Sequence, residues 1–161
     1  MEKQFTTFYI GEMHCGIDIL LVKEINRQLE ISEVAGAPIF IRGLLNLRGQ
    51  IITVIDIGVR LGFAARQPTA RSRCIVLKTT AELALLPHSA ELEEETTGEM
   101  VGLFVDRIGD MITALDKEVQ APPANFGNID SRYLSGVIQR ETDLLVILKT
   151  GAALSSEKNS A

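Results

Sequence analysis

The chain has no tryptophan, only 5% aromatic residues, and two cysteines and two histidines among 161 positions, and each scarcity removes a class of function. So few aromatics leave little from which to build a stacking platform for bases or sugars. Cys15 and Cys74 stand far apart, without the paired spacing of a zinc or redox motif, and read as reduced core thiols. No apolar run approaches the roughly eighteen residues that a membrane helix needs. The opening Met1-Glu2-Lys3-Gln4 lacks the basic-then-apolar layout of a signal peptide. The expectation is a cytoplasmic protein that does not insert into a membrane. Sixteen basic residues against 21 acidic ones give a formal charge of −5, which argues against nucleic acid as a partner.

Signatures of catalysis are missing as well. There is no glycine-rich phosphate loop ending in Lys-Ser or Lys-Thr, no dinucleotide fingerprint, no His-Glu-x-x-His and no Gly-x-Ser-x-Gly. His14 and His88 fall in a turn and a loop without an obvious orienting partner. The strongest enzymatic reading is a small hydrolase with Cys15 as nucleophile, but on a strand the neighbouring His14 would point to the opposite face. Glu91–Glu95 carries four carboxylates, yet it lacks the alternating ligands and glycine of a calcium loop and reads as a solvated loop. We therefore expect no enzyme, no cofactor and no metal site.

What is present is 46% hydrophobic residues, enough for a real core, arranged in short β-type runs. Phe5–Ile10 and Cys15–Ile19 flank a turn at Gly11–His14 and predict an opening hairpin. Leu20–Ile25 reads as one helical turn, Gln28–Val34 as a half-buried strand, and Ile39–Leu45 as a connector. Gln50–Ile55 is short and β-branched, a nearly fully buried strand. Asp56–Gly62, with a capping acid at its start and a glycine at its end, predicts a short helix. Arg73–Lys78 and Val101–Val105 are strands, and Asp106–Ile112 is a helical turn or a strand continuation. Tyr133–Ile138 and Leu144–Leu148 form a closing hairpin. Many short strands without βαβ alternation favour two small barrels that share a groove suited to docking.

One segment stands out. In Ile41–Asp56 a polar turn, Asn46-Leu47-Arg48-Gly49, interrupts two apolar runs. Gly49 points to a backbone conformation closed to residues with a Cβ, and Asn46 can hydrogen-bond its own backbone. Arg48 then projects a planar, permanently charged donor group from a stiff turn, either toward a partner or toward a nearby acid such as Asp56.

Gly16–Ile25, Pro38–Gly49 with its Asn-Leu-Arg-Gly turn, and Val54–Ile57 together resemble the CheW family of bacterial chemotaxis coupling proteins. Val101–Ile108 and Tyr133–Val137 look like that family's later signatures. The resemblance spans Phe5 to Leu154. It implies a mainly β fold of two five-stranded SH3-like barrels with short helices, making one domain over 1–154, followed by a polar tail at 155–161. It also implies a non-catalytic adaptor joining the cytoplasmic tip of methyl-accepting chemoreceptors to the regulatory domain of a CheA-type histidine kinase, with CheW–CheW or CheW–CheA ring contacts. A flagellar pathway and a type IV pilus or developmental pathway both fit. The matching interface positions are Val22, Glu24, Gly43, Asn46, Arg48 and Gly49. The chain departs from the family's pattern at Ala35 and Thr53, where prolines are common, and at Lys149, where an acid is common. The loop from Thr79 to Met100 is longer than the family's and reads as passive acidic filler rather than a carrier of pathway specificity.

Overall fold

Short runs of aliphatic residues bounded by glycine and polar turns fold, among the described residues, into thirteen strands and four short helices. The computed structural model describes residues 1–155 apart from Gln28, Leu29, His88, Asn125, Phe126 and Asn128. The polar tail expected at 155–161 therefore lies, beyond Ser155, outside the described residues, as does His88.

The strands are β1 (Glu2–Ile10), β2 (Met13–Asp18), β3 (Val22–Asn26), β4 (Ile31–Ser32), β5 (Ile41–Leu47), β6 (Gln50–Asp56), β7 (Arg73–Leu77), β8 (Val101–Val105), β9 (Arg107–Ile108), β10 (Ile112–Leu115), β11 (Val119–Gln120), β12 (Leu134–Gln139) and β13 (Leu144–Leu148). The helices are α1 (Ile57–Arg60), α2 (Thr80–Leu83), α3 (Ala90–Glu93) and α4 (Thr150–Leu154).

Two sheets result. The first runs β10-β1-β2-β13-β12-β11 with β9 also on β1, and the second runs β3-β7-β8-β6-β5-β4. The five strands expected of each lobe form its core, and the two-residue strands β9 and β11 extend the first sheet to seven strands and β4 the second to six. Those cores share one plan. Their successive ladders are antiparallel, antiparallel, parallel and antiparallel, through β10-β1-β2-β13-β12 and through β3-β7-β8-β6-β5.

Strand alternation divides the apolar side chains among three cores. From the second sheet, Ile55, Ile75 and Leu103 face a central core that also holds Phe8, Ile17 and Val146 of the first, and Tyr133 from the 3-10 turn just before β12. Their neighbours Val54, Cys74 and Phe104 face the other way, into a core within the second lobe. Phe5, Ala114, Ile138, Leu145 and Ile147 fill the first lobe. With both faces covered, β8 is buried at all five positions, which is why it reads as an unbroken apolar run. Each fully buried Phe, Leu or Ile contributes about 1.5–3 kcal/mol, against roughly 0–1 kcal/mol for an exposed ion pair. The cores hold the lobes together, and the surface pairs only orient side chains.

Several local expectations change. Leu20–Ile25 is not a helical turn: a three-residue 3-10 turn at Ile19–Leu21, capped by the Asp18 carboxylate accepting from the Leu20 amide at 2.9 Å, leads directly into β3. Of the strand expected at Gln28–Val34, Gln28 and Leu29 lie outside the described residues, and among the described ones only Ile31–Ser32 pairs as a strand. Ile39–Leu45 is not a connector, because Ile41–Leu47 is β5, hairpin partner of β6. The glycine within it concealed the strand. Of the two readings of Asp106–Ile112 the strand holds, with Arg107 and Ile108 pairing with Tyr9 and Phe8. The short helix after β6 forms as expected, Asp56 accepting from the Val59 amide at 3.2 Å and Gly62 ending it at φ 105°. No helix among the described residues is long and apolar enough to cross a membrane.

The Thr79–Met100 segment is not passive filler. It folds into α2 and α3, with Thr79 and Glu82 in a reciprocal capping box. Leu83 is fully buried in the central core, and Leu86 and Leu92 pack against it. Glu95 is not simply solvated: its carboxylate accepts from the Thr150 hydroxyl at 2.9 Å and the Gly151 amide at 3.2 Å, which docks α4.

Candidate functional site

The β5–β6 hairpin closes through a two-residue turn, Arg48-Gly49, with φ of 51° and 85°. Left-handed backbone at both positions gives the primed turn whose twist matches that of paired strands. Nothing lies within 4 Å of a Cβ built on Gly49, so backbone conformation alone selects glycine there. Asn46 locks the turn as its Oδ1 accepts from the Gly49 amide at 3.0 Å. Leu45, Leu47 and Ile52 anchor the hairpin in the core of the second lobe.

From this turn the Arg48 side chain, 69% exposed, reaches the Glu24 carboxylate on β3 and bonds to it. The alternative pairing with Asp56 does not form. Asp56 is held instead by Arg42, whose Nη1 donates to it at 2.9 Å and to the Arg66 carbonyl at 3.1 Å. The Arg48–Glu24 pair also bears on the shape of the sheet. β3 and β5 are four strand steps apart, about 19 Å in a flat sheet at roughly 4.8 Å per step, beyond the reach of two side chains. The sheet must therefore curl to bring β3 to the β5–β6 turn.

Along β3 the alternation sets the remaining candidates. Val22 is half-buried and packs against the central core. Glu24 is 28% exposed, turned toward Arg48. The residues between and after them, Lys23 and Ile25, face outward, and a register irregularity separates Val22 from Glu24. Lys23 meets Glu82 of α2 at 2.8 Å. That hydrogen bond, followed by one from the Thr79 amide, holds the Glu82 carboxyl below the ordinary carboxylate range.

Gly43 differs from the other candidates because it is buried. Its φ is 144°, and a Cβ there would lie 2.1 Å from the Ser32 carbonyl oxygen. It admits β4 against β5 and presents no side-chain surface. Asn46, Arg48 and Gly49 are thus exposed at the turn, Val22 and Glu24 flank it, and Gly43 supports it from beneath.

Three arginines escaped the sequence reading. Arg42, besides holding Asp56, stacks its guanidinium 4.0 Å from the Phe104 ring centre. Arg60 is only 5% exposed, lies 4.1 Å over Phe40, and donates to the Ala153 carbonyl at 3.1 Å and the Ser155 carbonyl at 2.6 Å. Arg66 pairs with Asp106 at 2.8 Å, and Asp106 also accepts from the Gly11 amide at 2.6 Å. All three act between segments remote in sequence, so no local signal marks them.

His14 is not a turn residue without a partner. It sits buried on β2, its Nδ1 2.8 Å from Asp143 and its ring stacked on Tyr9 at 4.4 Å. Cys15 projects to the opposite face of β2 into the central core, fully buried, and desolvation followed by the Asp106 charge pushes its thiol far up. Among the described residues no group of three or more His, Cys, Asp or Glu is placed to hold a metal ion.

Asn46 and Leu45 line a concavity of about 380 Å³ together with Glu30, Ile31 and Ser32, and a second, of about 460 Å³, lies where β1, β2 and β13 meet α3 and the 3-10 turn before β3. Phe5, Leu21, Leu92 and Ile147 give it apolar walls, with Asp18, Glu91, Glu95 and Asp116 among its polar lining.

Comparison with known proteins agrees with this architecture. The model of a family described as CheW-like domain matches residues 4–158. The chemotaxis protein CheW of Treponema pallidum (strain Nichols) is 30% identical over 155 residues, covering 96% of this chain and 84% of that protein. The chemotaxis protein CheW of Rhizobium meliloti (strain 1021) is 24% identical over 159 residues, covering 99% and 92%. Among solved structures, that of the scaffolding protein TtCheW from Thermoanaerobacter tengcongensis superposes with a TM-score of 0.73 at 28% identity, covering 92% of this chain and 84% of that one.

Proposed function

We infer that this chain, which belongs to the CheW-like domain family, is a chemotaxis coupling adaptor, a scaffold that joins signalling proteins and carries out no chemistry of its own. Its two partners are the cytoplasmic tip of a methyl-accepting chemoreceptor and the regulatory domain of a CheA-type histidine kinase. It works in the cytoplasm as one domain over residues 1–154, and contacts with the kinase or with further copies of itself extend the assembly into rings.

The observation that carries this reading is the Asn46–Gly49 turn, which holds an exposed Arg48 against Glu24 at the edge of a buried hairpin. A guanidinium presented from a rigid turn loses little freedom when it meets a carboxylate or a helix C-terminus. Val22 and Glu24 lie beside it, so an aliphatic contact and two charges of opposite sign flank the same strand edge. A helical hairpin with an apolar stripe and flanking charges matches that layout.

Pull-down of wild-type and Arg48→Ala protein with a receptor cytoplasmic fragment and with the kinase regulatory domain tests the reading. Wild type should hold both baits. The variant should lose receptor affinity by about 1–3 kcal/mol while keeping its melting temperature, as expected for an anchor at an interface. Wild-type protein that holds neither bait refutes the coupling role.

A further inference from the structure

The two lobes repeat one plan down to single positions, and the repeat exposes what one helix lacks. Gly43 and Gly102 both pair with Val54 of β6, and Gly136 and Gly16 both pair with Ile147 of β13. Val54 and Ile147 therefore hold the same place in their lobes. Two residues further on, Asp56 and Lys149 are the N-caps of α1 and α4, with nearly the same backbone: φ −81° and ψ 98° against φ −91° and ψ 86°. An N-cap side chain accepts from an amide of the first turn, which has no partner within the helix. Asp56 does so at the Val59 amide. Lys149 has no oxygen to offer, and its side chain makes no capping bond.

The missing oxygen comes from a segment more than fifty positions away. One oxygen of the Glu95 carboxylate accepts from the Gly151 amide at 3.2 Å and from the hydroxyl of the fully buried Thr150 at 2.9 Å. Backbone contact accompanies these bonds. A Cβ on Gly151 would lie 2.0 Å from the Glu94 carbonyl oxygen, so only glycine lets the chain after α3 press onto the first turn of α4. That chain is closed at its base, where the Thr96 hydroxyl donates to the Lys78 carbonyl at 2.5 Å and the Thr80 amide to the Thr97 carbonyl at 2.9 Å. Glu95 thus projects from a fixed point.

We propose that Glu95 is a clasp that caps α4 from the far segment, standing in for the carboxylate that Asp56 supplies to α1, so that α4 and the chain at 92–97 open and close together. Its effect reaches both lobes. At its start, α4 is joined to the first lobe by the Lys149 amide donating to the Tyr133 carbonyl at 2.7 Å. At its end it is joined to α1 by Arg60, which lies over Phe40, the residue before β5.

The test compares full-length wild type, Glu95→Gln, Glu95→Ala, and Glu95→Ala combined with Lys149→Asp, by thermal melting and by amide hydrogen exchange. Glu95→Ala should lower the melting temperature by about 2–6 °C, the effect of a lost cap in a chain of this size. Amides at 151–155 and at 92–95 should both exchange about tenfold faster. Glu95→Gln keeps an acceptor oxygen and should lose less. Adding Lys149→Asp to Glu95→Ala should recover most of the melting temperature and slow the amides at 151–155, while those at 92–95 stay fast, because α4 is then capped by its own chain. Wild-type melting and exchange in Glu95→Ala overturn the clasp. A loss that Lys149→Asp leaves in full overturns it as well, since Glu95 would then act by something other than capping. Faster exchange confined to 151–155 overturns the joint opening.

Discussion

Replacing Gly43 by alanine separates architecture from recognition at this site. The new methyl carbon would sit 2.1 Å from the Ser32 carbonyl oxygen, 2.8 Å from its carbon and 2.9 Å from the Ile31 Cγ2. The obstacle is mainly backbone, so rotating a side chain cannot relieve it. The short β4 must move off β5 by about 1 Å, which loosens the Ile31–Leu45 and Ser32–Leu44 pairings. Losing one or two ladder hydrogen bonds costs about 1 kcal/mol each, and holding alanine at φ 144° costs about 1–3 kcal/mol more. The sum is about 2–5 kcal/mol, and each kcal/mol lowers the melting temperature by about 2–4 °C in a chain of this size. Urea unfolding at equilibrium should show a lower midpoint with an unchanged slope. Partner binding should weaken only as far as the turn beyond β5 is displaced. A variant as stable as wild type that still failed to bind receptor or kinase would refute this account and make Gly43 a point of direct contact.

The same bonds set other outcomes. Arg60→Leu removes two donors from the carbonyls that end α4 and a cation from the face of Phe40, so it should destabilise the protein by about 2–4 kcal/mol in urea titrations; a loss below about 0.5 kcal/mol would show that α4 docks without it. Glu82, its carboxyl lowered chiefly by the Lys23 bond, stabilises the α2–β3 junction above its ordinary range and loses that contribution as pH falls through its depressed value. Carboxyl chemical shifts followed from pH 7 downward should place its titration below that of exposed glutamates, and Lys23→Ala should raise it. The Cys74 thiol, pushed up to about 12 by burial and then by the Glu24 charge, and the buried Cys15 should react with a thiol reagent only as fast as the protein opens; rapid labelling of the native protein would contradict their placement.

What the sequence made legible, and what it hid, follows from the range of the interactions concerned. The Asn46–Gly49 turn was readable because its causes are local: a glycine needing positive φ, an asparagine bonding three residues on, and apolar runs on either side. Strand β5 was missed for a local reason too, since Gly43 reads as a break in isolation. Only the Ser32 carbonyl, brought in by β4, shows that the glycine makes room rather than ending a strand. Arg48's partner could not be read at all. Asp56 is the nearer acid in sequence, eight positions away, but the curl of the second sheet delivers Glu24 and commits Asp56 to Arg42. Length and composition marked Thr79–Met100 as an unusually long acidic loop and hid its two short helices, because their packing depends on where Leu83 and Lys23 anchor them. A charged, low-complexity insertion is solvated filler only if nothing roots it. Here a capping box and the buried Leu83 make α2 a packed element beside β3.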